Sequence, residues 1–293
     1  MALEARPLHP LFAGELTGVD VRRLDGDGIT KLRSLMDRYA VLVVRDQPFD
    51  DAEQVAFARR LGGEILTLVG RSIIDDKPRL REPGIADISN LDENAGIIDR
   101  HDRRRMYALG NRLWHTDSSF QDPIARYSML SAKEVPNAGG ETEYADMRAA
   151  YDALPGALKD EIADLRAFHS IIYSRSTIGF TDFTDDERAK FPGAEHPLVR
   201  THPGSGRASV YIASHASHVT DRPVPEGRIL LRELMALATL PQFVYRHVWR
   251  IGDFVIWDNR CTMHRGLPFD ETTQRRDLRR VTTLDVEPAL TPA

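Results

Sequence analysis

Two histidines and an aspartate carry the clearest potential for chemistry in this sequence. His115 and Asp117 lie two positions apart, and His264 follows much later. Two imidazoles with one carboxylate are typical of non-haem Fe(II) oxygenases, because three protein ligands leave coordination positions open for a cosubstrate and for oxygen. Alternate residues of a strand point to the same face, so we predict a strand that directs His115 and Asp117 toward one metal ion.

The His-x-Asp pair is weak evidence by itself, since a chain with ten histidines and many aspartates can contain one by chance. The alternative to a metal site is that His115 and Asp117 are a half-buried polar pair at the end of a strand, hydrogen-bonded to backbone groups. A lone histidine near a turn, such as His264, is likewise usually a surface or capping residue. Other residues must decide between these interpretations.

A threonine and an arginine complete an ordered set with these three residues. Thr142 lies 25 positions after Asp117 and 122 positions before His264. Arg276 lies 12 positions after His264. This set resembles the taurine dioxygenase/2,4-dichlorophenoxyacetate dioxygenase family of Fe(II)- and 2-oxoglutarate-dependent enzymes. Stretches that look more like the 2,4-dichlorophenoxyacetate branch occur along nearly the whole chain, at residues 7–12, 86–90, 147–154, 214–218, 257–260 and 279–285.

The resemblance implies a role for each candidate. It makes His115, Asp117 and His264 the iron ligands. Thr142 and Arg276 would hold the distal carboxylate of 2-oxoglutarate, and Arg280 would lie near the C1 end of that cosubstrate or bind the anionic group of the substrate. No catalytic acid or base is implied beyond the metal ligands.

Arg276 belongs to a basic run, residues 275–280, that could be mistaken for a nucleic-acid-binding patch. In a strand, Arg276 and Arg280 share one face, whereas Arg275, Asp277 and Arg279 share the other. We expect the inward arginines to bind carboxylates through their planar forks, and the outward set to form a solvated row of mixed charge. Arg275 also fits the family spacing, so it stays open as the alternative to Arg276.

The elements that must position these residues suggest a mainly β fold with helical insertions. Strands are predicted at residues 41–44, 127–131, 166–171, 198–202, 209–212, 243–249, 254–257 and 278–284. Helices are predicted at residues 29–39, 51–61, 149–165 and 227–238, the second of them capped by Asp50 or Asp51 and stopped at Gly62. The strand pattern fits a jelly roll, and the resemblance implies a double-stranded β-helix with the metal at its open mouth. We expect one domain over residues 1–293, with lid candidates at residues 66–85 and 172–195.

Charge and composition limit the classes of partner that the protein can bind. The formal net charge of −5 lacks the basic excess that nucleic acids or anionic membranes favour, and no apolar stretch is long enough to span a membrane. A single cysteine, Cys261, excludes an internal disulfide and suits the reducing cytoplasm, where we expect the protein as a homo-oligomer. Cys261 itself is interpreted as a small core or loop residue. His202, His215 and His218 could line a substrate pocket or be structural.

The resemblance implies oxidation of a small organic acid, with 2-oxoglutarate and O2 consumed and succinate and CO2 released. The expected substrate is an aryloxyalkanoate such as a phenoxyacetate, cleaved to a phenol and glyoxylate. The alternatives are the same chemistry on an alkylsulfonate such as taurine or on another carboxylate, and a non-enzymatic metal-binding jelly roll, which would require neither Thr142 nor Arg276. Residues 66–85 contain one lysine, Lys77, fewer than the 2,4-dichlorophenoxyacetate branch carries.

Overall fold

The computed structural model describes residues 3–68, 73–75 and 77–286. These residues confirm a sheet-based fold with helical insertions. The helices are α1 Gly26–Tyr39, α2 Asp51–Leu61, α3 Arg103–Ala108, α4 Met147–Ala153, α5 Gly156–Ile162, α6 Ile171–Ser176, α7 Asp185–Lys190 and α8 Val224–Ala238. The strands are β1 Ala5–Pro7, β2 Gly14–Leu16, β3 Val41–Val44, β4 Ala86–Ser89, β5 Ala125–Glu134, β6 Thr142–Asp146, β7 Arg166–His169, β8 Ala194–Pro197, β9 Val199–Thr201, β10 Ala208–Val210, β11 Ala216–Val219, β12 Val244–His247, β13 Phe254–Asp258, β14 Thr262–Gly266 and β15 Asp277–Leu284.

Two sheets matter most for the site. The larger has the strand order β1-β2-β3-β13-β5-β15-β4, in which β2 and β3 are parallel and the other pairs antiparallel. The smaller has the order β12-β6-β14, all antiparallel. Strands β7, β8 and β11 form a further sheet, and β9 and β10 form a pair.

The core is layered around these sheets. One apolar cluster joins α1 and α2 to the outer face of the large sheet, where Leu42 and Phe254 lie. A second fills the space between the two sheets, where Tyr144 of β6 lies 5.6 Å, centroid to centroid, from Trp257 of β13. A third covers the far side of the small sheet with α4, α5 and α8. Because aromatic side chains lock the two sheets together, the residues between them are held in a rigid frame.

The predicted capping of α2 is confirmed in detail. The Asp50 side chain accepts a hydrogen bond from the backbone N–H of Glu53, the Glu53 carboxylate accepts one from the Asp50 N–H, and the helix ends at Gly62. One other helical prediction needs correction. Residues 149–165 form two helices, because the chain leaves helical geometry at Leu154 and Pro155.

The second lid candidate is more ordered than predicted. Residues 172–195 contain most of α6 and all of α7, and α7 begins with a capping box between Thr184 and Glu187. Residues 66–85 include positions 69–72 and 76, which lie outside the described residues; Lys77 is exposed. Among the helices of the described segments, none is both long and apolar enough to cross a lipid bilayer.

The outward face of β15 differs from the prediction of a solvated row. Asp277 is only 6% exposed. Arg79 crosses over the strand and forms ion pairs with Asp277 at 2.8 Å and with Asp87 at 3.0 Å. Arg279 also pairs with Asp277, at 3.3 Å. The row is of mixed charge, as predicted, but a segment from elsewhere in the chain buries its centre.

Candidate metal centre

Backbone hydrogen bonds bring the two candidate histidines together. The His115 N–H donates to the His264 carbonyl at 3.0 Å, and the His264 N–H donates to the His115 carbonyl at 2.7 Å. His264 belongs to β14, opposite Tyr144 of β6, so His115 is attached to the edge of the small sheet. The two imidazole centroids are 4.2 Å apart. The sheet therefore fixes both side chains at the mouth of the space between the sheets.

Asp117 does not lie in a strand, and the predicted strand through the His-x-Asp pair is wrong. His115 forms a single isolated bridge, and the chain then enters a turn in which Ser118 has a φ of +56°. Asn259 holds this turn in place, because its Oδ1 accepts from the Asp117 N–H at 3.1 Å and its carbonyl accepts from the Thr116 hydroxyl at 2.7 Å. The turn, rather than strand alternation, directs Asp117 toward the histidines.

The Asp117 carboxylate is anchored to the large sheet. The Ser128 hydroxyl of β5 donates to Oδ2 at 2.7 Å, and Ser128 itself accepts from Asn259 Nδ2 at 3.0 Å. Arg280 of β15 forms an ion pair with Oδ1. One ligand atom from each of His115, Asp117 and His264 lies within 4.8 Å of the others, and all three residues are buried. The structure thus brings the predicted trio together.

Burial and neighbouring charge keep these groups in metal-binding protonation states. Burial lowers the pKa of His115 to about 4 and that of His264 well below its usual value. Burial alone would raise the pKa of Asp117, but the charges of Arg280 and the two histidines, with the Ser128 hydrogen bond, lower it to about 2. At neutral pH the trio therefore presents two neutral imidazoles and a carboxylate.

A cavity of about 120 Å³ opens beside the trio and contains both predicted cosubstrate residues. Arg276 is half-buried; its backbone N–H donates to Asn90 Oδ1 at 2.9 Å, and its guanidinium Nη1 donates to the Ile88 carbonyl at 3.4 Å. Its Nε has no partner within the described segments, and burial lowers its pKa to about 10. Arg275 instead points outward and pairs with Glu134 at 2.9 Å, with each side chain 40% exposed. The geometry favours Arg276 over Arg275 as the carboxylate-binding arginine.

Thr142 lines the same cavity at the start of β6. Its hydroxyl oxygen accepts a hydrogen bond from Trp249 Nε1 at 2.9 Å. Gly139 and Gly140 precede it with φ values of +76° and +74°, and a Cβ at Gly139 would lie 2.5 Å from the Pro268 carbonyl oxygen. The sharp entry predicted for this glycine pair is confirmed, since the turn requires a conformation and a close approach that side chains disfavour.

The three histidines weighed as pocket residues have structural partners. His202 Nε2 bonds to Asp258 at 3.0 Å, His215 Nδ1 bonds to the Ser174 hydroxyl at 2.8 Å, and His218 Nδ1 bonds to the neighbouring Ser217 hydroxyl at 2.8 Å. None of the three lines the cavity. Their geometry supports the structural interpretation.

A second group of possible ligands does not suit a cation. His202, Asp258 and Cys261 have ligand atoms within 4.8 Å of one another. However, Arg260 already occupies the Asp258 carboxylate at 2.6 Å, and burial raises the pKa of the Cys261 thiol well above its usual value. Cys261 is a buried core residue, as predicted from the sequence.

Several residues of the site carried little or no sequence signal. Ser128 is an ordinary strand residue, and its bond to Asp117 becomes visible only when β5 meets the turn. Asn259 lies within the family-like stretch 257–260, so the sequence indicated that this residue matters. The sequence did not indicate which groups Asn259 contacts. Tyr107 and Asn111 also line the cavity, from α3 and from the 3-10 helix at Leu109–Arg112 that follows it.

The chain matches known proteins along nearly its whole length. The profile of the taurine catabolism dioxygenase TauD, TfdA family covers residues 4–282. The chain belongs to this family. It is 49% identical over 288 residues to the alpha-ketoglutarate-dependent 2,4-dichlorophenoxyacetate dioxygenase of Cupriavidus pinatubonensis, with 97% of this chain and 99% of the relative covered. The family predicted from the sequence is confirmed.

Other members of the TauD, TfdA family agree with this assignment. The (S)-phenoxypropionate/alpha-ketoglutarate-dioxygenase of Sphingobium herbicidovorans is 36% identical over 282 residues, with 94% of this chain and 92% of the relative covered. The solved structure of AAD-2 in complex with Mn(II) and N-oxalylglycine has a TM-score of 0.93 and 44% identity, and covers 99% of this chain and 100% of that one. The predicted likeness to the 2,4-dichlorophenoxyacetate branch is thereby confirmed.

The residues fit the metal that a TauD, TfdA dioxygenase requires. The Nδ1 of His115 lies 2.8 Å from the Leu113 carbonyl, so this nitrogen carries the proton and Nε2 keeps its lone pair for a metal. Two imidazoles and a carboxylate are the donor set of non-haem Fe(II) sites. The unpaired Arg276 Nε in the adjoining cavity suits a carboxylate cosubstrate.

Proposed function

We propose that the protein is an Fe(II)- and 2-oxoglutarate-dependent dioxygenase that hydroxylates an aryloxyalkanoate of the phenoxyacetate type. The observation that carries this proposal is a buried His-Asp-His trio beside a cavity that is lined by Thr142 and by Arg276, whose Nε has no partner among the described residues. The dioxygenase class is supported by the family and by relatives whose names specify alpha-ketoglutarate dependence. We further propose that the two facing sheets form a double-stranded β-helix, the jelly roll expected from the sequence, within a single domain.

His115, Asp117 and His264 hold Fe(II) in this proposal. When bound, Fe(II), 2-oxoglutarate and O2 supply the oxidising chemistry, with succinate and CO2 released. Arg276 binds the distal carboxylate of 2-oxoglutarate through its guanidinium, and Thr142 adds a hydroxyl donor beside it. Ser128 and Arg280 hold the two oxygens of Asp117, which fixes the direction of that ligand.

The remaining task of the chain is to place a substrate C–H bond beside the metal and to exclude water. Apolar side chains of Ile98, Leu109, Leu130, Leu267 and Phe269 line the cavity and suit an aromatic ring. Taurine has no ring to bury there. The lining therefore favours an aryloxy acid over an alkylsulfonate.

The products follow from the position of the hydroxyl group. One oxygen atom of O2 enters the C–H bond between the ether oxygen and the carboxylate, and the other enters succinate. The resulting hemiacetal breaks its bond to the ether oxygen, which takes up the hydroxyl proton and leaves as a phenol, while the carbon becomes the aldehyde of glyoxylate. This second step needs no catalytic side chain.

Two measurements test the proposal. Anaerobic addition of 2-oxoglutarate to the Fe(II)-loaded protein should give a visible charge-transfer band, and its absence would favour a metal-binding protein without this chemistry. Phenoxyacetate, 2-phenoxypropionate and taurine should then be supplied in parallel, with succinate, phenol and sulfite measured. Phenol that appears in step with succinate supports the aryloxyalkanoate assignment. Sulfite from taurine, or succinate without phenol, leaves the dioxygenase class but removes this substrate.

The metal ligands give a separate test. We expect His115→Ala, Asp117→Ala and His264→Ala each to abolish turnover, because two remaining ligands hold Fe(II) poorly against water. Circular dichroism should show that the variants still fold, since ligand truncation leaves the sheets intact. Full activity with stoichiometric iron in any variant would remove that residue from the site.

A further inference from the structure

The cavity beside the metal trio is lined by five arginines, and the chain itself neutralises most of this positive charge. All but one of the five pair with a carboxylate. The pairs are Arg104 with Asp102 and Glu93, Arg105 with Glu271, Arg112 with Glu271, and Arg280 with Asp117. Arg276 has no carboxylate partner in residues 3–68, 73–75 or 77–286. A guanidinium in this state is ready to bind an anion from outside the chain.

Glu271 is the carboxylate placed to compete for Arg276. It lies five positions before Arg276, and both side chains line the cavity. One amide holds both backbones, since Asn90 Nδ2 donates to the Glu271 carbonyl at 2.9 Å and Asn90 Oδ1 accepts from the Arg276 N–H at 2.9 Å. Burial lowers the pKa of Arg276 to about 10, and the negative charge of Glu271 acts against this shift. The Glu271 side chain therefore lies within electrostatic reach of Arg276.

The Glu271 carboxylate is instead turned toward two other arginines. Its Oε2 accepts from Arg105 Nε of α3 at 3.0 Å, and its Oε1 accepts from Arg112 Nη2 of the 3-10 helix at 2.6 Å. The Glu271 side chain is only 14% exposed. Each carboxylate oxygen thus has a charge-assisted hydrogen bond in a place with little water, where such bonds are strong. Because Asn90 holds only the backbone of Glu271, the two arginines determine where the carboxylate points.

The other carboxylate that lines the cavity is held in the same manner. Asp87 of β4 accepts hydrogen bonds from Arg79 Nε and Nη2, both at 3.0 Å. Each acidic side chain in the described part of the cavity wall therefore has an arginine partner, and Arg276 is not among these partners. This distribution of ion pairs leaves the Arg276 guanidinium free of the chain's own carboxylates.

We propose that Arg105 and Arg112 are positioning residues that hold the Glu271 carboxylate away from Arg276 and so keep the Arg276 guanidinium available for 2-oxoglutarate. This inference rests on the proposed function, in which Arg276 binds the distal carboxylate of that cosubstrate. Without the two arginines, Glu271 becomes an internal carboxylate that competes with 2-oxoglutarate for the same guanidinium. If Glu271 occupies Arg276 in about nine molecules of ten, the apparent dissociation constant of 2-oxoglutarate rises about tenfold.

The test measures 2-oxoglutarate binding to the Fe(II)-loaded protein without O2, by titration of the charge-transfer band, together with the KM for 2-oxoglutarate. The double variant Arg105→Met, Arg112→Met should raise both constants about tenfold or more. Adding Glu271→Gln to this double variant should return both constants to within about threefold of the unsubstituted protein, because a neutral amide competes poorly for a guanidinium. This rescue is specific to competition, since a cavity wall that is merely loosened would stay loosened.

Arg104→Met is the matched control. Arg104 precedes Arg105 in α3 and lines the same cavity, but it pairs with Asp102 at 2.9 Å and with Glu93 at 3.0 Å. Its loss frees no carboxylate beside Arg276, so the dissociation constant for 2-oxoglutarate should stay within about twofold.

The single variants Arg105→Met and Arg112→Met provide the same test if the double variant does not fold. Each leaves one partner for Glu271, so each should weaken 2-oxoglutarate binding less than the double variant does, and Glu271→Gln should again reverse the effect. Unfolding temperature gives a second readout. A fixed concentration of 2-oxoglutarate should raise the unfolding temperature of the unsubstituted Fe(II)-loaded protein more than that of the double variant.

The rescue decides the outcome. Weaker binding in the double variant that Glu271→Gln reverses supports the inference. Unchanged binding in the double variant overturns it. Weaker binding that Glu271→Gln does not reverse also overturns it, and makes the two arginines structural supports of the wall. Absence of both the charge-transfer band and succinate formation in the unsubstituted protein is a different result, because it overturns the proposed dioxygenase function on which the inference depends.

Discussion

Replacement of Arg276 by methionine should separate stability from cosubstrate binding. Burial lowers the pKa of Arg276 from the usual 12.5 to about 10. Each pKa unit corresponds to about 1.36 kcal/mol, so the charged guanidinium is disfavoured in the ligand-free protein by about 3 kcal/mol. Methionine has a similar length and no charge. We therefore expect Arg276→Met to raise the free energy of unfolding of the ligand-free protein by about 1 to 3 kcal/mol.

Cosubstrate binding should change in the opposite direction. Loss of a charge-assisted fork to a carboxylate in a desolvated site costs about 2 to 5 kcal/mol. The KM for 2-oxoglutarate should therefore rise by roughly 30-fold to several thousandfold. The KM for phenoxyacetate, measured at saturating 2-oxoglutarate, should change much less. Added 2-oxoglutarate should also raise the unfolding temperature of the unsubstituted protein but not that of the variant.

The assay is succinate formation against 2-oxoglutarate concentration, combined with denaturant unfolding of the ligand-free proteins. Arg275→Met is the matched control, since Arg275 is half-exposed and paired with Glu134, and its KM for 2-oxoglutarate should stay within about twofold. If Arg275→Met raises this KM and Arg276→Met does not, the carboxylate is bound by the side of the chain that carries Arg275 and not by the side that carries Arg276.

Three further changes test two side chains that support the site and one that supports the sheets around it. Trp249→Phe removes the donor to Thr142 and should raise the KM for 2-oxoglutarate severalfold, an effect that should vanish when Thr142 is already valine. Ser128→Ala should weaken Fe(II) binding about tenfold to a hundredfold, measured by competition with a chelator, because Asp117 loses an orienting bond. Asp253→Asn should destabilise the protein most at neutral pH. Asp253 precedes β13, is buried, and pairs with His247 of β12 at 3.0 Å and with Arg45. Burial alone would raise the pKa of Asp253, but His247 and Arg45 lower it overall. The stabilisation is therefore present above the unfolded-state pKa near about 4, and the difference in unfolding free energy should disappear as the pH falls through the lower folded-state value.

The sequence predicted the residues that touch metal or cosubstrate better than the backbone that holds them. The order and spacing of His115, Asp117, Thr142, His264 and Arg276 indicated the family, and the structure gathers all five around one cavity. The capping of α2 was equally predictable, because it depends on residues three positions apart.

The failures share a physical cause, which is dependence on distant partners. The turn at Asp117 is set by Asn259, 142 positions away, so local alternation could not reveal it. The burial of Asp277 depends on Arg79, which is 198 positions away in the sequence.

The division of the site between sheets and short helices has a consequence for substrate range. The metal trio and the cosubstrate residues are fixed by β6, β14, β15 and the turn that docks on β5, deep in the interlocked sheets. One wall of the cavity, which carries Tyr107 and Asn111, comes instead from α3 and the 3-10 helix, neither longer than six residues. These peripheral pieces can diverge, or be exchanged between relatives, without disturbing the oxygen chemistry. Swapping residues 103–112 between members of the family should therefore change substrate preference while leaving the need for iron and 2-oxoglutarate intact.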